Sequence, residues 1–266
     1  MTRRDSVLRE MGLAPIWRLR GRTEEGTETV EAVEAVPEAP APEPARPRPA
    51  RSVMPQPVAT TPVAEPARAS APAPDTSDVA SLDWDALEAR IAGCTACPLC
   101  TSRQKTVPGM GDRNARVMFI GEGPGAEEDR RGLPFVGAAG KLLDAMLASI
   151  GLSREQGVYI ANTVKCRPPR NRTPENAEMA ACRPFLERQI ALVRPRLLVA
   201  LGRPAAQVLL DDEEVRIKDA RGRVFEYGGV PVRVTYHPAY LLRNPADKAR
   251  AWEDLCAIRK MLEAGD

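Results

Sequence analysis

Four short apolar segments, separated by helical patterns, constrain the fold of this chain more than any other feature of its sequence. They span residues 117–120, 158–161, 197–201 and 232–235. Short apolar runs that alternate with helices are typical of a parallel sheet with both faces covered. We therefore predict an α/β fold with three layers, α/β/α, around a central, mostly parallel sheet of four strands.

The segments between these runs contain helix start and stop signals. Residues 138–150 form a helical pattern that Gly151 closes. Thr173 followed by Pro174 predicts the start of another helix, with the threonine as N-cap and the proline at the first helical position. Two consecutive glycines separate short β-type runs within residues 221–235, which predicts a hairpin that leads into the last strand.

Proline divides the chain into three parts, because 12 of the 26 prolines lie between Pro37 and Pro74. A stretch rich in Pro, Ala and Glu with few large apolar side chains cannot offset the entropy of ordering, so we expect residues 23–81 to be a disordered linker. Residues 82–266 have the size of one domain. Residues 1–22 form a short amphipathic segment, either a docking motif for a DNA or protein partner or a poorly ordered terminus.

Charge and hydropathy narrow the functional classes. Residues 1–81 hold 10 of the 38 basic and 12 of the 36 acidic residues, so the rest of the chain has only four more basic than acidic residues. Nucleic-acid binding is permitted by this balance but must rest on local clusters. No apolar run approaches a membrane span, and no secretion signal follows the first residues. We expect a cytoplasmic, nucleoid-associated protein that is monomeric.

Cysteine spacing predicts a site with four thiolate ligands. The chain has six cysteines, and in a reducing compartment these are metal ligands or buried thiols rather than disulfides. Four of them form a C-x2-C pair and a distant C-x15-C pair, namely Cys94, Cys97, Cys166 and Cys182. Zinc and an iron–sulfur cluster both accept four cysteines, and spacing alone does not choose between them. Cys256 fits a core position on an amphipathic helix.

Distinctive motifs follow the apolar segments, and they should converge at the carboxyl edge of a parallel sheet. The first is the glycine-rich loop GEGPG at residues 121–125, which also matches the dinucleotide fingerprint G-x-G-x-x-A. Four carboxylates in residues 122–129 disfavour a pyrophosphate there. His237, the only histidine, follows the last segment, and its place in a proline-bounded motif favours a functional role. Phe135 is either a core residue or a stacking face for a planar ligand.

Taken together, these motifs resemble those of the family 4 uracil-DNA glycosylases, the iron–sulfur branch of that superfamily. The resemblance covers residues 94–261 and includes, besides the two cysteine pairs, GEGPGAEED, GLPFVGAAGKLL, IANTVKCRPPRNRTP and HPAYLLRNP. It implies a DNA-repair enzyme that flips uracil out of uracil-containing DNA and hydrolyses its N-glycosidic bond, leaving an abasic site. Two alternatives remain: a non-catalytic iron–sulfur module that binds nucleic acid beside a DNA polymerase, and a nucleotide-binding redox protein.

The resemblance also implies roles for individual residues. The four paired cysteines would hold a [4Fe-4S] cluster, and His237 would face the uracil O2. The other residues expected to contact the base are Glu122, Gly123, Phe135 and Asn162. The residues expected to enter or contact the DNA are Leu241, Leu242 and Arg243, with Lys165 and Arg167 as candidate phosphate contacts. The loop lacks the aspartate that activates water in other branches, and Glu128 is the candidate for that role.

Overall fold

The computed structural model describes residues 78–264, which contain one six-stranded sheet. The four predicted segments are neighbouring parallel strands at its centre, and one antiparallel strand lies at each edge. In chain order the strands are β1 (Met110–Gly111), β2 (Val117–Gly121), β3 (Val158–Asn162), β4 (Leu197–Leu201), β5 (Val224–Tyr227) and β6 (Val230–Thr235). Across the sheet their order is β1-β3-β2-β4-β6-β5.

The predicted number of four strands is therefore wrong. β1 has only two residues, too few to show the alternation by which a strand is recognised. β5 is the first strand of the predicted hairpin, but its side chains are exposed or half-buried, so it does not form an apolar run. The predicted hairpin is therefore confirmed, although β5 is not counted among the four predicted strands, and only β1 is not predicted. Both uncounted strands lie at the sheet edges, where burial leaves the weakest pattern in the sequence.

Helices cover both faces of the sheet, as predicted. They are α1 (Trp84–Ala92), α2 (Ala126–Arg131), α3 (Ala138–Ser149), α4 (Asn176–Val193), α5 (Arg203–Leu210), α6 (Ile217–Ala220), α7 (Pro238–Arg243) and α8 (Lys248–Glu263). Alternate strand residues point to opposite faces. Met118 and Ile120 of β2 join a core with α1, α4 and α5, whereas Val117 and Phe119 join a core with α3, α7 and α8.

The predicted start of α4 is wrong. The helix begins at Asn176, with Glu175 as the N-cap, and not at Pro174. Glu178 sets this start, because its carboxylate accepts the N–H of Glu175 at 2.8 Å and pairs with Arg172 at 2.6 Å. A carboxylate three residues into a helix is a common partner for the first free N–H groups.

The folded region begins before the predicted boundary at Leu82. Residues Val79–Ser81 form a short 3-10 turn, and Val79 is buried in the core beside α1 and α4. The segment 1–22 and most of the predicted linker lie outside the described residues. Within residues 78–264, no helix is long and apolar enough to cross a membrane.

Candidate functional site

The carboxyl ends of the four central strands border one cleft of about 840 Å³. Gly121, the last residue of β2, lies directly opposite Asn162, the last residue of β3. The cleft walls include most of the residues that the sequence assigned to the base, to catalysis or to the DNA, namely Glu122, Gly123, Glu128, Phe135, Asn162, His237 and Arg243. The motifs therefore converge as a parallel sheet requires.

The amide of Asn162 is buried with one atom unpaired. Its side chain is 2 % exposed, and Oδ1 has no hydrogen-bond partner within the described part of the chain. An unpaired buried acceptor costs about 1–3 kcal/mol. Glycine is required at position 121, because a Cβ there would lie 2.5 Å from Oδ1 and 2.5 Å from the ring of Phe135. Asn162 therefore offers an acceptor that a ligand can satisfy.

Phe135 has an unusual backbone conformation. Its φ of 52° lies in the left-handed region, which costs a bulky residue roughly 1–3 kcal/mol. Surrounding contacts hold it there: Val136 and Gly137 each donate an N–H to Glu128 Oε1 at 2.8 Å, and Arg154 donates to the carbonyl of Phe135 at 3.0 Å. The ring centroid consequently lies 5.5 Å from that of His237.

Glu128 connects two loops of the cleft. Besides the two N–H groups after Phe135, its carboxylate accepts the N–H of Gly125 at 3.1 Å. Both oxygens therefore bond to backbone donors of the glycine-rich loop and of the loop before α3. These contacts favour a supporting role for Glu128 over the water-orienting one.

His237 is held as a neutral donor. It caps the first turn of α7, where Nδ1 accepts the N–H of Ala239 at 3.1 Å. The pKa of His237 is lowered to about 4, mainly by burial and to a smaller extent by the positive charge of Arg243, against the opposing effect of Glu128. A neutral imidazole whose Nδ1 accepts a hydrogen bond has its proton on Nε2. His237 lines the cleft in this form at neutral pH.

Glu122 follows β2 immediately and is half-buried in the cleft. The pKa of its carboxyl group is raised overall, because the effect of burial exceeds the opposing effects of the hydrogen bond with Thr173 and the charge of Arg243. Its backbone is held to the chain after β3, because Thr163 Oγ1 donates to the Glu122 carbonyl at 2.5 Å. The glycine-rich loop and the end of β3 thus form one unit.

Two residues expected to touch DNA are buried in the described structure. Leu241 is 1 % exposed, because it packs into the core with α3 and α8. Lys165 is also 1 % exposed, because protein acceptors enclose its ammonium group. Leu242 is 43 % exposed, Arg243 is exposed at the rim of the cleft, and Arg167 is half-buried. The described residues available to DNA from this set are therefore these last three.

The four predicted ligand cysteines line one small internal cavity, and Cys100 lines it too. All of the described cysteines are free thiols. Three sulfurs accept hydrogen bonds, Cys94 from Ala96 N at 3.5 Å, Cys166 from Arg103 Nη1 at 3.1 Å and Cys182 from Lys165 N at 3.3 Å. Donors aimed at sulfur stabilise thiolates. We did not expect the role of Arg103, because a single basic residue near a cysteine motif shows no pattern in the sequence.

Two thiols of the cysteine cavity are deeply buried. Burial raises the pKa of Cys166 and raises that of Cys182 to about 12, so both thiols keep their protons until a metal replaces them. Among the described residues, no three Cys, His, Asp or Glu side chains are grouped to hold one ion. Four cysteine side chains are a donor set that both zinc and an iron–sulfur cluster accept.

The polar and aromatic cleft lies at the carboxyl ends of the parallel strands, which is where α/β folds of this kind bind small ligands. The sequence model of the Uracil DNA glycosylase superfamily matches residues 108–256, more than half of the chain. A type-4 uracil-DNA glycosylase of Thermotoga maritima is 49 % identical over 162 residues, which cover 60 % of this chain and 84 % of that protein.

Two further relatives show that the chain is more similar to type-4 than to type-5 uracil-DNA glycosylases. A type-4 uracil-DNA glycosylase of Pyrobaculum aerophilum is 42 % identical over 181 residues, 65 % of this chain and 92 % of the relative. A type-5 uracil-DNA glycosylase of the same organism is 34 % identical over 197 residues, 60 % of this chain and 84 % of the relative. The chain belongs to the uracil-DNA glycosylase superfamily and, within it, to the type-4 family.

Proposed function

We propose that this protein removes uracil from DNA by hydrolysing the N-glycosidic bond, which releases free uracil and leaves an abasic site. Membership in the family supports the reaction. The observation that best supports the site is the buried Oδ1 of Asn162 at the cleft wall, which has no hydrogen-bond partner among residues 78–264. Uracil offers the donor that this oxygen lacks, because its N3–H lies between two carbonyl groups.

Asn162 and Phe135 recognise the base. The amide accepts from uracil N3–H through Oδ1 and donates through Nδ2 to an adjacent carbonyl oxygen. Cytosine presents an acceptor at N3 and an amino group beside it, so it leaves the same buried amide unpaired. Stacking on the Phe135 ring contributes about 1–3 kcal/mol to binding. The cleft therefore selects a flat base with a donor between two acceptors.

His237 stabilises the charge that develops as the bond breaks. The bonding electrons leave with uracil, and negative charge accumulates on its O2. Neutral His237 donates from Nε2 to this oxygen, and one such donor contributes about 10²–10³ in rate. The oxygen of an attacking water bonds to the sugar C1′, one water proton stays on that oxygen, and the other balances the charge of the departing base.

Residues at or near the cleft rim contact the DNA. Extruding a base from a duplex costs a few kcal/mol, and an apolar side chain in the gap offsets part of that cost. Leu242 is exposed beside the cleft and fills this role, while Arg243 and Arg167 offer positive charge to phosphates. Leu241 supports Leu242 from the core and does not itself enter the DNA.

The four paired cysteines hold a [4Fe-4S] cluster. The shared cavity and the hydrogen bonds to three sulfurs fit this group. When bound, the cluster supplies a covalent link between segments that are far apart in sequence. The ligands are Cys94 and Cys97 before β1, Cys166 after β3 and Cys182 on α4. Through Cys166 and Cys182, this link fixes the end of β3 and the first turns of α4 beside the cleft.

Uracil release from a defined oligonucleotide tests the proposal. Purified protein is incubated with DNA that contains one U·G pair, and a matched duplex with T·G serves as the control. We expect free uracil and strand cleavage by alkali at the abasic site, and neither product from the T·G duplex. DNA that remains intact but is bound would contradict the proposal and favour a non-catalytic binding module.

A further inference from the structure

Lys165 has no part in the chemistry just described, yet its ammonium group is enclosed by protein. The two hydrogen bonds of Nζ go to neutral acceptors, the backbone carbonyl of Asn162 at 2.8 Å and Oε1 of Gln189 at 2.6 Å. A buried cation is costly unless negative charge lies near it. Lys165 lines the cysteine cavity, where the thiolates of a bound cluster would supply that charge.

Lys165 lines the cysteine cavity and also bonds to a residue that lines the cleft. Its side chain bonds to Asn162, the last residue of β3, while its own N–H donates to the sulfur of Cys182 at 3.3 Å. Gln189 lies seven residues after Cys182, two turns along the same face of α4. The amide of Gln189 is itself fixed, because Nε2 donates to the carbonyl of Pro108 at 2.7 Å.

We propose that Lys165 is a positioning residue, which holds the carbonyl of Asn162 and so aims the amide side chain of Asn162 at uracil. This inference rests on the proposed role of Asn162. The carbonyl and the side chain belong to one residue at the end of a strand, where the chain turns away from the sheet. Rotation of the 162–163 peptide would move Oδ1, and a misplacement of about 1 Å can cost about 10²-fold in rate.

A double-mutant cycle tests whether Lys165 acts through Asn162. Lys165→Met keeps the length and apolar stem of the side chain but removes the donor. We expect it to lower the single-turnover rate of uracil release about 10- to 100-fold in the wild-type background, and less than about twofold when Asn162→Ala is already present. An equal fold loss in both backgrounds would overturn the inference, because a general effect on folding or on His237 would persist without the amide.

Iron content and a second variant complete the test. Lys165→Met should keep the iron content of the wild type. Loss of iron would contradict the inference, because it would show that the lysine supports the cysteine ligands instead of Asn162. If Lys165→Met does not fold, Gln189→Met removes the other hydrogen bond of the ammonium and should show a smaller loss that again disappears with Asn162→Ala. Wild-type protein that releases no uracil would instead defeat the proposed function.

Discussion

The cleft and the cysteine cavity both include residues at or just after the end of β3, but they are built in opposite ways. The cleft is open and contains a buried acceptor without a partner, Oδ1 of Asn162. The cavity is small, and three of its sulfurs already accept hydrogen bonds. The unpaired acceptor in the cleft is free to bond to a ligand that comes and goes. The hydrogen bonds to the sulfurs suit a group that stays bound.

The unfavourable free-energy terms in the two regions also differ in kind. In the cleft the cost is conformational, since Phe135 is held at a positive φ and glycine is required at position 121. In the cavity the cost is electrostatic, since burial raises the pKa of Cys182 and encloses the ammonium of Lys165. Changes in the cleft should therefore affect the reaction first, and changes in the cavity should affect the integrity of the protein first.

Removing a buried ligand of the cavity should have the largest effect. Cys182→Ser should lower iron from about four per chain to less than about one, and uracil release should fall with it, because α4 loses its link to the end of β3. Iron analysis of anaerobically purified protein measures the change. Cys100→Ser is the matched control, because Cys100 lines the same cavity but is not an assigned ligand. Equal iron loss in both variants would break the assignment of the ligands.

Removing the donor of the cleft should affect rate alone. His237→Ala should lower the single-turnover rate of uracil release by about 10²–10³, because the negative charge on O2 loses its hydrogen bond. Iron content and affinity for the DNA should stay at the wild-type level, which separates this region from the cavity. A rate within a factor of about three of wild type would contradict the role of His237.

His237 should also set a pH dependence of stability. The unfolded chain binds a proton at this residue below a pH of about 6.5, whereas the folded protein, in which burial lowers the pKa to about 4, does not. Stability is therefore lost as the pH falls from about 6.5 to 4, by about 2 kcal/mol between pH 7 and pH 5. His237→Gln should lack this component in urea unfolding, and an identical pH dependence would refute the burial of a neutral imidazole.

The smallest effect should come from the rim of the cleft. Leu242→Ala should slow uracil release from duplex DNA roughly tenfold, because less apolar surface fills the gap left by the base. Single-stranded substrate should be affected less, and stability should change little. Leu241→Ala is the structural counterpart, and it should lower the free energy of unfolding by about 2–5 kcal/mol. The reverse pattern would exchange the roles of the two leucines.

The sequence predicts the layers and the central strands because buried parallel strands form continuous apolar runs between helices. It also brings Asn162 and His237 to one edge, since both follow such runs. It does not predict that Lys165 and Leu241 are buried. Lys165 stands in a basic stretch that suggests a surface, and its burial depends on Gln189, 24 residues away. Leu241 and Leu242 are adjacent and chemically identical, and only the phase of α7 against the core decides which one is exposed.

The comparison of two asparagines that line the same cleft tests the central claim most directly. Asn162 is buried with an unpaired oxygen, whereas Asn176 is exposed at the first position of α4. Single-turnover uracil release should fall at least about a hundredfold in Asn162→Ala and stay within about twofold of wild type in Asn176→Ala. Equal rates for the two variants would contradict the claim that the buried amide selects uracil.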